Sequence, residues 1–300
     1  MSDEYSKFIK KDLNIIAEKV REEINLQLNK SSNKLSEDII KILKYSALAP
    51  GKMIRSYLVY NFAKISSCKE RQFLIIAAVI EIIHTYSLIH DDLPAMDNSK
   101  MRRGQAASHI KYGEDIAILA GDALQTIAFK ILANLELCND AKKILNLIDL
   151  MAENIGCNGM ILGQYYDILK NDRTREDIKR TEQLKTGKLI EFSCIAPFII
   201  ADSYNKDEYE AAENYGKYIG MAYQIKDDLL DIDGKEEDIG KDLNQDLNNK
   251  KFNLVTLIGK EKAKKELVSF TDKAKGQLNI YANKSDNLKK FTDYLAYRTS

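Results

Sequence analysis

Two short stretches hold carboxylates at spacings that suit a hard divalent cation. The first is Asp91-Asp92-Leu93-Pro94-Ala95-Met96-Asp97, and the second is Gln224-Ile225-Lys226-Asp227-Asp228-Leu229-Leu230-Asp231. Carboxylate oxygens, completed by water and phosphate oxygens, are what Mg²⁺ prefers. In the second stretch Asp227 and Asp231 are four residues apart, so one helix face carries both. Like charges at that spacing repel unless a cation lies between them. In the first, a regular helix would leave Asp97 about 120° around from Asp91. Pro94 removes a backbone donor and can end the helix there, returning Asp97 to the same place.

Cations accompany both acidic stretches: Lys52 and Arg55 after Gly51, Arg102 and Arg103 after the first, Lys185 beside Thr186, and Lys241 and Lys251 in a polar segment after the second. Arginine forks match phosphate oxygens and lysine adds a movable point charge. Carboxylates and cations in one site suggest a polyphosphate bridged through metal. His84 precedes the first acidic stretch and could donate a hydrogen bond to such an anion. There is no Walker A loop, no G-x-G-x-x-G and no H-E-x-x-H, so nucleotide-loop and zinc-protease chemistries are not supported.

The elements that would position these residues read as helices. Ile9, Leu13, Ile16, Val20, Ile24 and Leu28 recur at steps of three and four. Three prolines and 14 scattered glycines leave long stretches without breakers. Helical segments are expected at about residues 52–64, 70–90, 115–135, 140–169, 174–201, 206–231 and 255–279, and strand alternation is hard to find. The expected fold is all-α, some ten helices in one domain over residues 1–300, with a polar loop at 233–251. The charge balance is 45 basic against 45 acidic residues, which leaves no general footprint for nucleic acid. Four separated cysteines argue against a disulfide scaffold or zinc ribbon. The start has no apolar signal core, and no apolar run approaches the roughly 20 residues of a membrane span. A cytoplasmic protein without a membrane span is the expectation.

Seven motifs in order, GKMIR at Gly51, HTYSLIHDDLPAMD at His84, RRG at Arg102, LAGDALQTIAF at Leu119, GQYYD at Gly163, KTGKLIEFS at Lys185 and QIKDDLLD at Gln224, resemble the trans-isoprenyl diphosphate synthases, the polyprenyl synthetase family. The chain looks most like the bacterial farnesyl diphosphate synthases. The resemblance implies helices around a deep central cavity, a homodimer and Mg²⁺, three ions when substrate is bound. It implies head-to-tail condensation of isopentenyl diphosphate with dimethylallyl or geranyl diphosphate, giving farnesyl diphosphate and diphosphate.

Carried over by position, Asp91, Asp92, Asp97, Asp227, Asp228 and Asp231 would be metal ligands. Arg102, Lys185 and Lys241 would contact the allylic diphosphate, with Lys251 a further lysine of the same loop. Lys52, Arg55, His84 and Arg103 would bind the diphosphate of isopentenyl diphosphate. Lys185, Thr186 and Gln224 would face the allylic cation. Tyr86 and Ser87, five and four residues before the first aspartate, would set product length. Tyr86 lies about 7.5 Å deeper than Asp91 at 1.5 Å per residue, so a fifteen-carbon product is expected. Where the family pattern reads G-K-R-x-R-P this chain has Gly51-Lys52-Met53-Ile54-Arg55-Ser56, which implies altered isopentenyl diphosphate binding. A geranylgeranyl diphosphate synthase is the alternative, and a non-catalytic subunit is disfavoured because both aspartate motifs are kept.

Overall fold

The structure, a computed structural model, describes residues 3–169, 174–202, 205–233 and 253–298. Lys241, Lys251 and nearly all of the expected polar loop lie outside the described residues.

The chain folds as helices α1 (Asp3–Lys30), α2 (Glu37–Ala47), α3 (Ile54–Ser66), α4 (Glu70–Asp91), α5 (Ser108–Tyr112), α6 (Glu114–Leu132), α7 (Ala141–Ile155), α8 (Met160–Ile168), α9 (Arg175–Glu182), α10 (Lys188–Ile200), α11 (Lys206–Asp233), α12 (Leu254–Ile258), α13 (Lys260–Gln277) and α14 (Asp286–Tyr297). Among the described residues ten of these run 11 residues or longer, matching the expected number. Four features depart from expectation, the first being that the segment expected over 255–279 is broken at Gly259, in the left-handed region at φ 82°, into α12 and α13. Residues 140–169 form two helices, because α7 stops at Ile155 before Gly156 and Gly159. Residues 174–201 are interrupted by a π-helical turn, Gln183–Gly187. A two-residue antiparallel ladder, β1 (Met101–Arg102) with β2 (Gln105–Ala106), closes the turn after the first acidic stretch.

The α1 stripe Ile9, Leu13, Ile16, Val20, Ile24 and Leu28 is buried as its period requires. Helix α4 is apolar on nearly every face and packs against α1, α3, α6 and α10. By length and composition it could cross a membrane, yet 72% of its most apolar window is buried inside the bundle. In α10, Leu189 to Phe198 are buried without a break, Pro197 included, and the helix lies between α3, α7 and α11. A core of this kind places α4 and α11, which carry the acidic stretches at their C-terminal ends, around α10 and its π-helical turn.

Phe62 marks the centre of the packing. It is fully buried, with ring centroids 6.2 Å from Phe198, 5.5 Å from Tyr215 and 6.1 Å from Tyr281. Phe62→Ala is expected to cost about 3–5 kcal/mol through lost transfer energy and the cavity left behind, read as a lower urea midpoint with the helical circular dichroism signal retained at low urea.

Candidate active site

Helix α4 ends at Asp91, and the chain then folds back on itself. The Asp97 amide donates to the Asp91 carbonyl (2.8 Å), the Asn98 amide to Leu93 (3.1 Å) and the Ser99 amide to Asp92 (3.2 Å). This turn around Pro94 is what the spacing needs, because it brings Asp97 back beside Asp91. The three carboxylates are not equivalent. Asp92 is buried and gripped by Arg102, whose Nε lies 3.1 and 3.2 Å from its two carboxylate oxygens. Burial pushes the Asp92 carboxyl upward while the Arg102 contact opposes it. Asp91 accepts a hydrogen bond from Gln164 Nε2 at 2.8 Å, and both Asp91 and Asp97 are partly exposed.

The π-helical turn supplies the next layer. Such a turn inserts an extra residue per hydrogen-bonded ring and is frequent at functional sites. Lys185 Nζ donates to Asp167 Oδ2 at 2.7 Å. Against burial, which would lower it, Asp167 and then Asp91 hold this amine above the ordinary lysine value, with Asp97 adding to the effect. Lys185 therefore stays charged and lies within electrostatic reach of the first acidic stretch. Helix α8 can deliver Gln164 and Asp167 here because Gly163 has no side chain: a Cβ there would stand 2.2 Å from the Lys185 amide nitrogen.

From Lys185 the network crosses to α11. Thr186 Oγ1 donates to Gln224 Oε1 at 3.0 Å, and Gln224 Nε2 donates to Asp228 Oδ1 at 2.8 Å. The close crossing depends on Gly220, whose Cβ would lie 3.0 Å from the Gly187 Cα. Asp228 and Asp231 are buried, and Asp227 is paired with Arg298. The two acidic stretches, about 130 residues apart in sequence, are thus joined through α8 and the π-helical turn.

A basic group flanks this network. His84 is half-buried, and burial, then Arg55, Arg103 and Arg102, push its imidazole well below the usual histidine range, so it is neutral at pH 7. Lys52 is exposed at the open edge, yet desolvation of its ammonium and then the Arg298 guanidinium pull the amine down to about 8. Arg298 is buried, lies 4.8 Å over the Tyr223 ring, and is held above the usual arginine value, against burial, chiefly by Asp227.

Most of the sequence-derived site residues are therefore in one neighbourhood: Asp91, Asp97, Arg102, Lys185, Thr186, Gln224 and Asp228, with Lys52, Arg55, His84 and Arg103 beside them. Tyr86 is buried one turn from His90, with ring centroids 5.9 Å apart, and Ser87 donates to the His84 carbonyl at 2.9 Å. Sequence reasoning passed over Gln164, Asp167 and Arg298. The first two lie in GQYYD, spaced three apart and so on one helix face, which was a usable signal. Arg298 is a single basic residue far from every motif.

Do these residues fit Mg²⁺? The donors are carboxylate oxygens, and Gln164 adds a buried Oε1 without a hydrogen-bond partner. Among the described residues no three ligating side chains close into a cage. Mg²⁺ binds through one or two carboxylates plus phosphate oxygens and water, and not through an all-protein shell, and the carboxylate oxygens of Asp91 and Asp97 are donors of that kind.

An all-helical bundle with two acidic stretches joined by a polar network and flanked by cations defines a protein that handles diphosphates through a divalent metal. The polyprenyl synthetase profile matches residues 36–295, and the chain belongs to that family. It is 39% identical over 258 residues to the farnesyl diphosphate synthase of Micrococcus luteus, covering 85% of this chain and 88% of that one. It is 36% identical over 261 residues to the geranylgeranyl diphosphate synthase of Cyanophora paradoxa, covering 86% and 87%. Among solved structures it resembles the Helicobacter pylori geranyltransferase complexed with magnesium and isoprenyl diphosphate, with a TM-score of 0.80 and 28% identity over 98% of this chain and 97% of that one.

The Lys52 amine gives the basic group a pH signature. Lys52 is charged below about 8 and neutral above it, so pyrophosphate binding is expected to weaken as pH rises from about 7 to 9, although the anion itself gains charge over that range. Calorimetric titration across this interval checks the sign, and Lys52→Met is expected to remove the weakening.

Proposed function

We propose that this chain is a prenyltransferase that joins isopentenyl diphosphate head-to-tail to dimethylallyl or geranyl diphosphate, releasing diphosphate and giving farnesyl diphosphate as main product. The observation that carries this reading is the single network from Asp97 and Asp91 through Gln164, Lys185 and Asp167 to Thr186, Gln224 and Asp228, with a separate basic group beside it. One region suits a diphosphate that must leave, and the other suits a diphosphate that must stay.

Asp91, Asp92, Asp97, Asp227, Asp228 and Asp231 would hold Mg²⁺, three ions with substrate bound, with Arg102 beside Asp92. When bound, the metal neutralises charge on the departing diphosphate. Lys185 and Arg102 add fixed positive charge at the same place in a region poor in water, where it acts most strongly. Lys241 and Lys251 would join them from the segment after α11. Thr186 and Gln224 offer polar oxygens toward an allylic cation without a strong nucleophile that would trap it. Lys52, Arg55, neutral His84 and Arg103 would hold the second diphosphate. Its double bond attacks the cation, a carbon–carbon bond forms, and the proton then lost goes to the departed diphosphate. No protein nucleophile takes part.

The same reading covers one domain over residues 1–300 in the cytoplasm and a homodimer. Exposed Ile110, Ile118 and Leu119 on α5 and α6 offer an apolar surface for the second copy.

The reaction is tested by incubating the protein with isopentenyl diphosphate and each allylic starter and separating the products. Farnesyl diphosphate is expected with Mg²⁺ and none after chelation by EDTA. A mainly twenty-carbon product would favour the geranylgeranyl alternative, and no product with any starter would favour a non-catalytic subunit.

Tyr86 is buried and its hydroxyl has no hydrogen-bond partner, so truncation strands no polar group. Tyr86→Ala is expected to shift the main product from fifteen to twenty carbons or longer. An unchanged chromatogram would remove Tyr86 from the determinants of length.

A further inference from the structure

The first turn of α3 is held from outside its own segment. Its N-cap, Met53, sits in the left-handed region at φ 44° and makes no side-chain capping bond. The first turn of a helix has amide groups without intrahelical partners. Here one of them, the Ser56 amide, donates to Glu81 Oε1 of α4 at 3.3 Å, and the Ser56 hydroxyl donates to the same oxygen at 2.8 Å. Ser56 is fully buried and Glu81 is 2% exposed. A carboxylate at a helix N-terminus also opposes the positive end of the helix dipole.

The contact lies under the basic group. Arg55 directly precedes Ser56, and Lys52 lies four residues before it. The Arg103 guanidinium lies over Gly51, where a Cβ would be 3.3 Å from its central carbon. Burial lowers Arg103, and Glu81 is the foremost group that supports its charge. One carboxylate therefore caps the helix that carries Arg55 in its first turn and also supports the charge on Arg103. A proline at position 56, as in the family pattern, would lack both the amide hydrogen and the hydroxyl.

We infer that Ser56 and Glu81 form a positioning pair that sets α3 and Arg103 for the diphosphate of isopentenyl diphosphate, a role that rests on the functional reading above. Neither residue touches the substrate in this scheme. The pair orients Lys52, Arg55 and Arg103, and the site for the allylic diphosphate lies outside its reach.

Ser56→Ala removes one donor and leaves the amide bond, and Glu81→Gln keeps the side-chain shape and an oxygen acceptor, so both variants are expected to fold. Calorimetric titration measures isopentenyl diphosphate alone, and geranyl diphosphate with Mg²⁺ in a separate run. Each single variant is expected to weaken isopentenyl diphosphate on the order of three- to tenfold, the scale of one lost hydrogen bond to a charged group. Geranyl diphosphate is expected to stay within about twofold, and the double variant to be no weaker than the weaker single one, as for two residues acting as a unit. Equal losses for both ligands, additive losses, or no loss would overturn the pair's role while leaving the functional reading intact. A wild-type protein that binds neither ligand would overturn the functional reading and this inference with it.

Discussion

Carboxylates gathered at one end of a helical bundle repel each other, and most of what surrounds them offsets that repulsion. Two unit charges 4 Å apart interact by about 4 kcal/mol at the effective dielectric typical of a protein surface. Each acidic stretch has a fixed cation of its own: Arg102 on Asp92, and Arg298 on Asp227. Lys185 sits between Asp167 and the first stretch and is held charged by both. Arg102 thus offsets a buried aspartate and Arg298 a partly exposed one, and Asp91 and Asp97 are partly exposed as well. These cations offset part of the negative charge in the bundle wall, and Asp91 and Asp97 lie nearer its surface.

The same constraint explains why neutral amides occupy the middle of the network. Gln164 donates to Asp91, and Gln224 donates to Asp228 while accepting from Thr186. An amide stabilises a carboxylate without adding full charge, so it can link two charged regions and still leave room for the charge that a metal-bound diphosphate brings. Buried polar networks are stable only when their members find partners. Gly163 and Gly220 make this possible by letting α8 and α11 approach the π-helical turn more closely than any side chain would allow.

Much of this was legible in the sequence because the signals were local. Pro94 inside an acidic stretch announced a break, and the observed turn returns Asp97 to Asp91 by a single backbone hydrogen bond. The spacing of Asp227 and Asp231 required only the helix period. Other features were not local. The π-helical turn within 174–201 has no breaker to mark it, since Gly187 alone reads as a tolerated glycine. The pairing of Asp92 with Arg102 is set by the β1–β2 ladder, whose strands are too short for any alternation to show. Arg298 reaches Asp227 only because α14 packs against α11. The boundary between α7 and α8 was there to be read in Gly156 and Gly159, but a strong apolar period on either side masked it.

The basic region beside the network is built on a different principle. Three arginines and burial keep His84 neutral, so it adds a hydrogen-bond donor and no charge. Lys52, depressed to about 8, sits near the edge of its own titration. A cluster of four full positive charges, on Lys52, Arg55, His84 and Arg103, would be costly to hold together without an anion. Loss of charge from one member and partial loss from another reduce that cost, and an arriving diphosphate would restore the Lys52 proton. On the proposed reading two anion sites of opposite character would stand side by side, one made of aspartates that need a cation to bind phosphate and one made of cations that do not. A metal held by the aspartates would neutralise charge on a departing diphosphate, whereas fixed arginines would only anchor one, so under the proposed reading the choice of leaving group would follow from which site each diphosphate occupies.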